Sequence, residues 1–276
     1  MAGGPAMTSL ATDLDARMPT FVSHGAATSY ATLGPTLDRA RLHLVWAHGW
    51  GQDHRFLLGV ARALEGLGAH TLLDFPGFGQ SPPPPAAWGT ADYADAVADW
   101  LATLPRRRRI WIGHSFGCRV GLQLAARHPD ALDGLVLVAA AGLPRTRSLV
   151  ARTRIAAKVG LFKLLKPLSR AGIEVPALRN RLGSEDYRRA GPMRPVLVKV
   201  VREDLSDVAR AVRCPVLLLH GELDTETPPE IGERLAALIE GAQLHVLPRL
   251  DHYTILTAGS HQVAYQLQNF IARTAP

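Results

Sequence analysis

Short apolar runs alternate with longer segments of helical periodicity along most of the chain, and this alternation constrains the fold more than any other feature. An unbroken apolar run suits a strand covered on both faces, and strands that alternate with helices are typical of a parallel sheet. We therefore predict an α/β fold with a mostly parallel central sheet flanked by helices. The strands are expected at residues 42–47, 70–75, 110–113, 135–138, 215–220 and 244–247.

Helical patterns occupy the intervals between these strands, and a hairpin is expected before the first of them. Residues 20–31 predict an antiparallel pair at one edge of the sheet. Thr90 is the expected N-cap of the second helix, because a threonine hydroxyl can accept a hydrogen bond from the first turn. The helices are expected at residues 56–67, 91–104, 116–127 and 229–239.

A long segment without a strong strand interrupts this rhythm at residues 143–211. It has several helical patterns and lies just before the fifth strand. An insertion on the C-terminal side of a parallel sheet is well placed to cover a site, because open α/β sheets bind ligands there. We predict a helical cap at residues 143–211, a core formed by residues 20–142 and 212–276, and a disordered N-terminus at residues 1–19.

Length and composition exclude several classes of protein. A chain of 276 residues fits one large domain, and no apolar run approaches the ~20 residues that span a bilayer. The first twenty residues lack the basic and apolar regions of a secretory signal. Cys118 and Cys214 have no Cys-x-x-Cys or Cys/His ligand spacing around them, which predicts buried thiols, a cytoplasmic protein and no metal site.

The net charge of +7 is distributed unevenly. Residues 145–210 contain 16 Lys and Arg against 6 Asp and Glu, an excess of +10. Such a block either attracts an anionic partner or forms a solvated surface, and the sequence leaves both interpretations open. No nucleic-acid-binding motif accompanies the charge, so a nucleic-acid partner is not expected.

The sequence Gly113-His-Ser-Phe-Gly117 joins the third strand to the third helix. A turn this sharp forces its apex residue, Ser115, into a strained conformation, and side chains two residues to either side would collide. The apex hydroxyl stands at a helix N-terminus, where developing negative charge is favoured. The pattern predicts that Ser115 is a nucleophile and that Gly113 and Gly117 permit the turn.

A serine hydroxyl needs a neighbouring base, and the base needs an acid to orient it. His252 is the preferred base among eleven histidines, because it lies in a loop just after the last strand. Asp224 follows the fifth strand and is the preferred acid, with Glu222 and Glu226 as nearby rivals. The order Ser115, Asp224, His252 is the order of α/β-hydrolase triads.

A tetrahedral intermediate also needs donors for its oxyanion. One expected donor is the backbone N–H of Phe116, directly after the nucleophile. The other is the backbone N–H of Trp50 in the sequence His-Gly-Trp-Gly that follows the first strand, where two glycines let the loop bend. Loss of one such donor typically costs ~100–1000-fold in rate.

Taken together, the motifs HGWG, DFPGFGQS, GHSFG and GELDTETP, with the late Asp-His pair, resemble the α/β-hydrolase superfamily. The resemblance covers residues 40–142 and 212–272. It implies a serine hydrolase that needs no cofactor or metal, with a cap domain between its core segments. Members with HGWG and D-x-P-G-F-G-x-S, such as the pimeloyl-ACP methyl ester esterases, are carboxylic-ester hydrolases.

The sequence departs from the family pattern at two positions. Asp251 replaces the usual glycine before the catalytic histidine, and its carboxylate is expected near the imidazole. Cys118 replaces a frequent second glycine after the nucleophile motif, and the tight helix is expected to survive this small side chain.

The predicted reaction is hydrolysis of a carboxylic ester through an acyl-enzyme. The substrate is expected to be a small-molecule ester or acyl compound, and the sequence leaves open whether it is anionic or carrier-bound. The same triad would also serve a thioester, an amide, a C–C bond or a perhydrolase reaction, and the sequence does not separate these. A non-catalytic binding module on a hydrolase scaffold is the alternative of another class.

Overall fold

The computed structural model describes residues 18–144 and 189–275. Within them the chain forms eight strands that join into one sheet. In chain order these are β1 (Thr20–Ser23), β2 (Ala26–Leu33), β3 (Leu42–Ala47), β4 (Ala69–Asp74), β5 (Arg108–His114), β6 (Gly134–Val138), β7 (Val216–Gly221) and β8 (Gln243–Leu247).

The strand order across the sheet is β1-β2-β4-β3-β5-β6-β7-β8. The β1–β2 and β2–β4 pairs are antiparallel, and the five remaining pairs are parallel. The prediction of a mostly parallel sheet with an antiparallel edge hairpin is therefore confirmed. Each predicted parallel strand is present, and the bounds differ from the prediction by at most two residues.

Seven α-helices lie among the described residues. They are α1 (Arg55–Ala63), α2 (Thr90–Thr103), α3 (Phe116–Arg127), α4 (Arg194–Arg202), α5 (Ser206–Ala211), α6 (Pro229–Leu238) and α7 (Ser260–Arg273). The predicted helix at 56–67 is shorter than expected, because α1 ends at Ala63 and a separate 3₁₀ turn follows at Glu65–Leu67.

The predicted N-cap of α2 is wrong by one residue. Gly89 occupies the N-cap position in an extended conformation, and Thr90 is the first helical residue. The role of the missing cap side chain is taken by a residue distant in sequence. The carboxylate of Glu203 accepts hydrogen bonds from the backbone N–H and the hydroxyl of Thr90.

The helices cover both faces of the sheet, which accounts for the unbroken apolar runs. In β3, Val45 and Ala47 pack in a cluster with α2, α3 and α6, whereas Leu44 and Trp46 pack with α1 and α7. Side chains alternate between the two faces of a strand, so a strand buried on both faces must be apolar at every position.

The predicted cap falls largely on residues 145–188, which lie outside the described residues, as do residues 1–17 of the predicted N-terminus. The described remainder of the cap segment is helical and contains α4 and α5. Its buried residues Val196, Leu205 and Ala209 join the same apolar cluster as α2 and α3. The boundaries of the cap and core remain a prediction.

Candidate active site

Ser115 lies at the apex of the turn between β5 and α3. Its backbone has φ 48° and ψ −101°, a region that residues other than glycine rarely adopt. A Cβ atom on Gly113 would come within 2.5 Å of the Gly117 carbonyl oxygen, and a Cβ atom on Gly117 would overlap the Ala47 carbonyl oxygen. Neither glycine position has room for a side chain, so the turn depends on both.

Hydrogen bonds from neighbouring strands and loops hold this turn in place. The Ser115 N–H donates to the Val138 carbonyl of β6 at 3.0 Å, and the Gly117 N–H donates to the His48 carbonyl at 3.0 Å. The Cys118 Sγ lies 3.1 Å from the Gly113 carbonyl oxygen. Cys118 is therefore accommodated, and burial raises the pKa of its thiol well above the ordinary value.

Asp224 and His252 form a buried pair after β7 and β8. His252 Nδ1 lies 2.8 Å from Asp224 Oδ2, and the two residues are 5% and 3% exposed. Two parallel strands end at the same edge of the sheet, which brings loops that are 28 residues apart into contact. This contact fixes which ring nitrogen faces the acid and leaves Nε2 on the other side.

The environment of Asp224 favours its ionised form. The backbone N–H groups of Glu226 and Thr227 both donate to Asp224 Oδ1 at 2.8 Å, and the Thr227 hydroxyl donates to Oδ2 at 2.8 Å. Burial is the largest single influence and opposes ionisation. The hydrogen bond and charge of His252, together with the Thr227 hydrogen bonds, nevertheless lower the pKa of Asp224 below its ordinary value.

The two rival acids occupy different positions. Glu222 accepts a hydrogen bond from the Arg249 N–H at 3.0 Å. Glu226 lies beside His252, but its Oε2 is 3.6 Å from Nε2 rather than Nδ1. Asp224 is therefore the carboxylate at Nδ1, and Glu226 is a second carboxylate at the opposite nitrogen.

The structure brings the Ser115 turn next to the His252 loop without a direct hydrogen bond between these two described side chains. Contact is made through the preceding residue, His114, whose Nε2–H donates to the His252 carbonyl oxygen at 2.9 Å. The two rings are 4.9 Å apart between centroids. Burial lowers the pKa of His114 to about 3, so this ring is neutral near pH 7. Catalytic hydrogen bonds are often long before substrate binds, so the missing contact does not exclude His252 as the base.

The loop after β3 packs against the same turn. Gln52 Oε1 accepts a hydrogen bond from the Gly49 N–H at 2.9 Å and lies 3.1 Å from His114 Nδ1. The His48 ring connects this loop to the residue that follows β4. Its Nδ1 donates to the Gly49 carbonyl at 2.7 Å, and its Nε2 accepts from the Phe75 N–H at 3.1 Å. The N–H groups of Trp50 and Phe116 take no part in these hydrogen bonds.

Aromatic rings cluster beside Ser115. Trp50 lies edge-on to Phe78 and to Phe116, with ring centroids 4.9 and 5.7 Å away. Phe116 also contacts Phe75 and Tyr93. Met193, from the described end of the predicted cap, belongs to the same apolar cluster. This wall suits an apolar group on a ligand.

Asp251 lies near the imidazole, as expected, since the charge of His252 acts on its carboxyl group, but its hydrogen-bond partners are elsewhere. Its Oδ1 accepts hydrogen bonds from the N–H groups of Tyr253 and Thr254, at 3.0 and 2.8 Å, and from the Thr254 hydroxyl. These hydrogen bonds lower the pKa of Asp251, and the charge of His252 lowers it further. Asp251 therefore caps the turn that follows His252.

Sequence reasoning did not identify Thr227, Gln52 or His114 as parts of this site. The spacing of Thr227, three residues after Asp224, is the signal that was available, because an aspartate often accepts hydrogen bonds from residues two and three positions later.

No group of three or more His, Cys, Asp or Glu side chains within residues 18–144 and 189–275 is arranged to hold a metal ion. In the same ranges, no helix is long and apolar enough to cross a membrane.

The chain is similar to several known proteins. Pimeloyl-[acyl-carrier protein] methyl ester esterase of Chromobacterium violaceum is 30% identical over 230 residues, covering 78% of this chain and 88% of the esterase. The protein of the same name from Methylococcus capsulatus is 31% identical over 247 residues, covering 83% and 94%. The crystal structure of a membrane phospholipase A, described as a novel bacterial virulence factor, has the same fold. Its TM-score is 0.74 at 22% identity, covering 96% of this chain and 90% of that one.

The family match includes every part of the candidate site. Residues 44–264 match the alpha/beta hydrolase family, and this range includes the Ser115 turn and the loops of Asp224 and His252. The eight-stranded sheet, with its antiparallel edge and parallel centre, agrees with this match. The chain belongs to the alpha/beta hydrolase family and is a hydrolase.

Proposed function

We propose that this hydrolase cleaves a carboxylic ester through an acyl-enzyme formed on Ser115, with His252 as the base and Asp224 as the acid. The observation that carries the proposal is the buried pair between His252 Nδ1 and Asp224 Oδ2, 2.8 Å apart, beside a strained serine turn. The names of the two curated relatives described above, both methyl ester esterases, support the ester as the substrate class.

In the first half of the reaction, Ser115 Oγ attacks the ester carbonyl carbon while His252 Nε2 takes the hydroxyl proton. The oxyanion that forms is held by the N–H groups of Trp50 and Phe116. When the tetrahedral intermediate collapses, the C–O bond to the alcohol breaks and the His252 proton passes to the departing oxygen. The alcohol leaves and an acyl-serine remains.

In the second half, a water molecule attacks the acyl-serine and His252 takes its proton. The intermediate collapses to a carboxylic acid, and the proton returns to Ser115 Oγ. Asp224 holds the Nδ1 hydrogen and stabilises the imidazolium that forms in each half. The hydrogen bonds that keep Asp224 ionised support this role.

The substrate we propose has an apolar acyl portion and an anionic or carrier-bound remote part. The aromatic cluster of Trp50, Phe78 and Phe116 supports the apolar portion. The excess of basic residues in 145–210 supports the anionic portion, and the relatives' names refer to an ester on an acyl-carrier protein. Residues 143–211 would form the cap that covers this substrate.

Labelling and turnover test the proposal together. We expect wild-type protein to react with a fluorophosphonate and to hydrolyse p-nitrophenyl esters of rising chain length. Ser115→Ala should lose the label and ester turnover, by up to roughly a millionfold as in comparable triads, with its circular dichroism unchanged. A purified, folded variant that kept more than a few per cent of activity would exclude Ser115 as the nucleophile.

The same experiment separates the alternatives. Acyl-thioesters and amides of matched chain length, assayed alongside the esters, report which bond is preferred, because kcat/KM compares transition-state binding directly. A C–C hydrolase or a perhydrolase would label but would show weak turnover on every simple ester. A non-catalytic binding module would neither label nor turn over any of them.

A further inference from the structure

Two carboxylates flank the imidazole of His252, one at each ring nitrogen. Asp224 Oδ2 lies 2.8 Å from Nδ1, and Glu226 Oε2 lies 3.6 Å from Nε2. The Asp224 side chain is fully buried, whereas the Glu226 side chain is 48% exposed. The proposed mechanism uses only the first of these carboxylates.

The second carboxylate is placed by the same turn that holds the first. The Glu226 N–H donates to Asp224 Oδ1 at 2.8 Å, so the backbone of Glu226 is fixed relative to the acid. Its side chain then reaches the nitrogen that the mechanism assigns to proton exchange with Ser115. A carboxylate at ion-pair distance from that nitrogen attracts the protonated ring and has no such attraction for the neutral one.

We propose that Glu226 is a positioning residue that holds the protonated form of His252 and thereby slows catalysis at acidic pH. The inference rests on the proposed function, since it needs His252 Nε2 to be the nitrogen that serves Ser115. A ring whose Nε2–H is attracted to Glu226 is protonated and cannot accept the Ser115 proton. Removal of the Glu226 charge should therefore extend activity to lower pH.

Other charged groups face His252 within the described residues, and each has a different state or partner. Burial lowers the pKa of His114 to about 3 and that of His220 to about 4, so both rings stay neutral above about pH 5. Asp224 is ionised, and Asp251 directs its carboxylate to backbone N–H groups. These four groups therefore do not account for the acidic limb of the pH profile, meaning the fall in activity as pH drops below neutral.

Glu226→Gln removes the charge and keeps the length of the side chain. Glu222→Gln is the matched control, because Glu222 lies in the same loop, two residues before Asp224, and contacts Arg249 rather than His252. Glu226→Asp keeps the charge. The measurement is kcat/KM for a neutral p-nitrophenyl ester between about pH 5 and about pH 9, with titration of active serine by a fluorophosphonate.

We expect the acidic limb of Glu226→Gln to move down by about one pH unit, since two charges this close interact by about that amount even where water screens them. At one pH unit below the midpoint of the wild-type limb, kcat/KM of Glu226→Gln should be about fivefold higher than that of wild type. On the high-pH plateau the two proteins should agree within about twofold. The acidic limb of Glu222→Gln should lie at the same pH as that of wild type. The acidic limb of Glu226→Asp should lie closer to that of wild type than the limb of Glu226→Gln does.

The inference is overturned if the acidic limb of Glu226→Gln stays where it is in wild type or moves to higher pH. It is also overturned if Glu222→Gln shows the same shift. A collapse of the plateau without movement of the limb would also overturn it, because Glu226 would then assist catalysis in another way. If wild type neither labels nor hydrolyses any ester, the proposed function itself fails, which is a separate and recognisable result.

Discussion

The hydroxyl of Thr227 lies 2.8 Å from Asp224 Oδ2, on the same carboxylate oxygen that faces His252. The same hydroxyl is 3.0 Å from the Ala139 carbonyl oxygen and 3.1 Å from His252 Nδ1. Thr227 is 7% exposed, so water does not readily replace it. It therefore connects the acid, the base and the end of β6 at one point.

Thr227→Val should lower kcat by about tenfold with little change in KM. The substitution keeps the side-chain shape but removes a hydrogen bond to an ionised group, which is worth roughly 1.5–3 kcal/mol. The two backbone donors to Asp224 remain and limit the loss. The measurement is steady-state kinetics on a neutral ester, with the rate of fluorophosphonate labelling as a second readout.

Thr225→Val is the matched control for this change, because Thr225 is exposed in the same loop. It should leave kcat within about twofold of wild type. If Thr227→Val lowers the melting temperature but labels as fast as wild type, Thr227 has a structural role only. Equal loss of kcat in both variants would also contradict the positioning role.

Sequence patterns predict those parts of the molecule that depend on periodicity and on short motifs. The apolar runs locate every parallel strand to within two residues, and the glycines around Ser115 predict a turn with no room for side chains. The antiparallel hairpin at β1 and β2 also follows from the pattern. These features are local, or repeat with a fixed period, so one sequence is enough to find them.

The features that the sequence does not reveal depend on contacts between distant segments. Glu203 caps α2 from 113 residues away, and no local pattern could show that it replaces Thr90 in this role. The side of His252 that Glu226 faces depends on how two loops meet. Adjacency in sequence predicts that Asp251 lies near the imidazole, but it does not reveal that local backbone donors hold the carboxylate.

Glu203→Ala should lower the free energy of unfolding by about 1–2 kcal/mol, because it removes the acceptor for the first N–H and the hydroxyl of α2. Glu233→Ala, at an exposed position of α6, should change stability by less than about 0.5 kcal/mol. Urea denaturation of both variants provides the comparison. A loss no larger than that of Glu233→Ala would show that Glu203 does not cap α2.

Asp74 should make stability depend on acid pH. Its carboxylate is fully buried and accepts hydrogen bonds from the N–H groups of His54 and Gln80, at 2.8 and 2.9 Å. Burial is the largest influence and opposes ionisation, but the contacts with His54 and Gln80 lower the pKa of Asp74 below the ordinary 3.8. A carboxyl whose pKa is lower in the folded state stabilises the fold above its unfolded pKa. That contribution is lost as pH falls through the folded value.

Asp74→Asn should therefore be less stable than wild type at pH 7, and the difference should shrink as pH falls below 3.8. The measurement is urea unfolding of both proteins at a series of pH values. Asp207→Asn is the control, because the side chain of Asp207 is 98% exposed. If the gap between wild type and Asp74→Asn stayed constant down to acid pH, the Asp74 charge would not stabilise the fold.

The basic excess of residues 145–210 leads to a prediction about salt. Part of this excess is neutralised from outside the segment, since Lys199 forms an ion pair with Asp92 at 3.0 Å. Glu226 adds a negative charge beside His252, so an anionic group on the substrate should be remote from the scissile carbonyl. If the remaining positive charge serves an anionic or carrier-bound ester, it acts at long range and raises the association rate.

We therefore expect kcat/KM for an ester with a carboxylate at the far end of its acyl chain to fall steeply between low and high salt. A neutral ester of the same length should change little. Salt screens charges over ~10 Å at 0.1 M ionic strength, so most of the fall should occur by about that concentration. Equal salt responses for the two esters would contradict a substrate-directed charge and would leave the basic segment as a solvated surface. A fall in kcat for both esters would instead indicate that salt acts on the fold, and unfolding curves at the same salt concentrations distinguish that case.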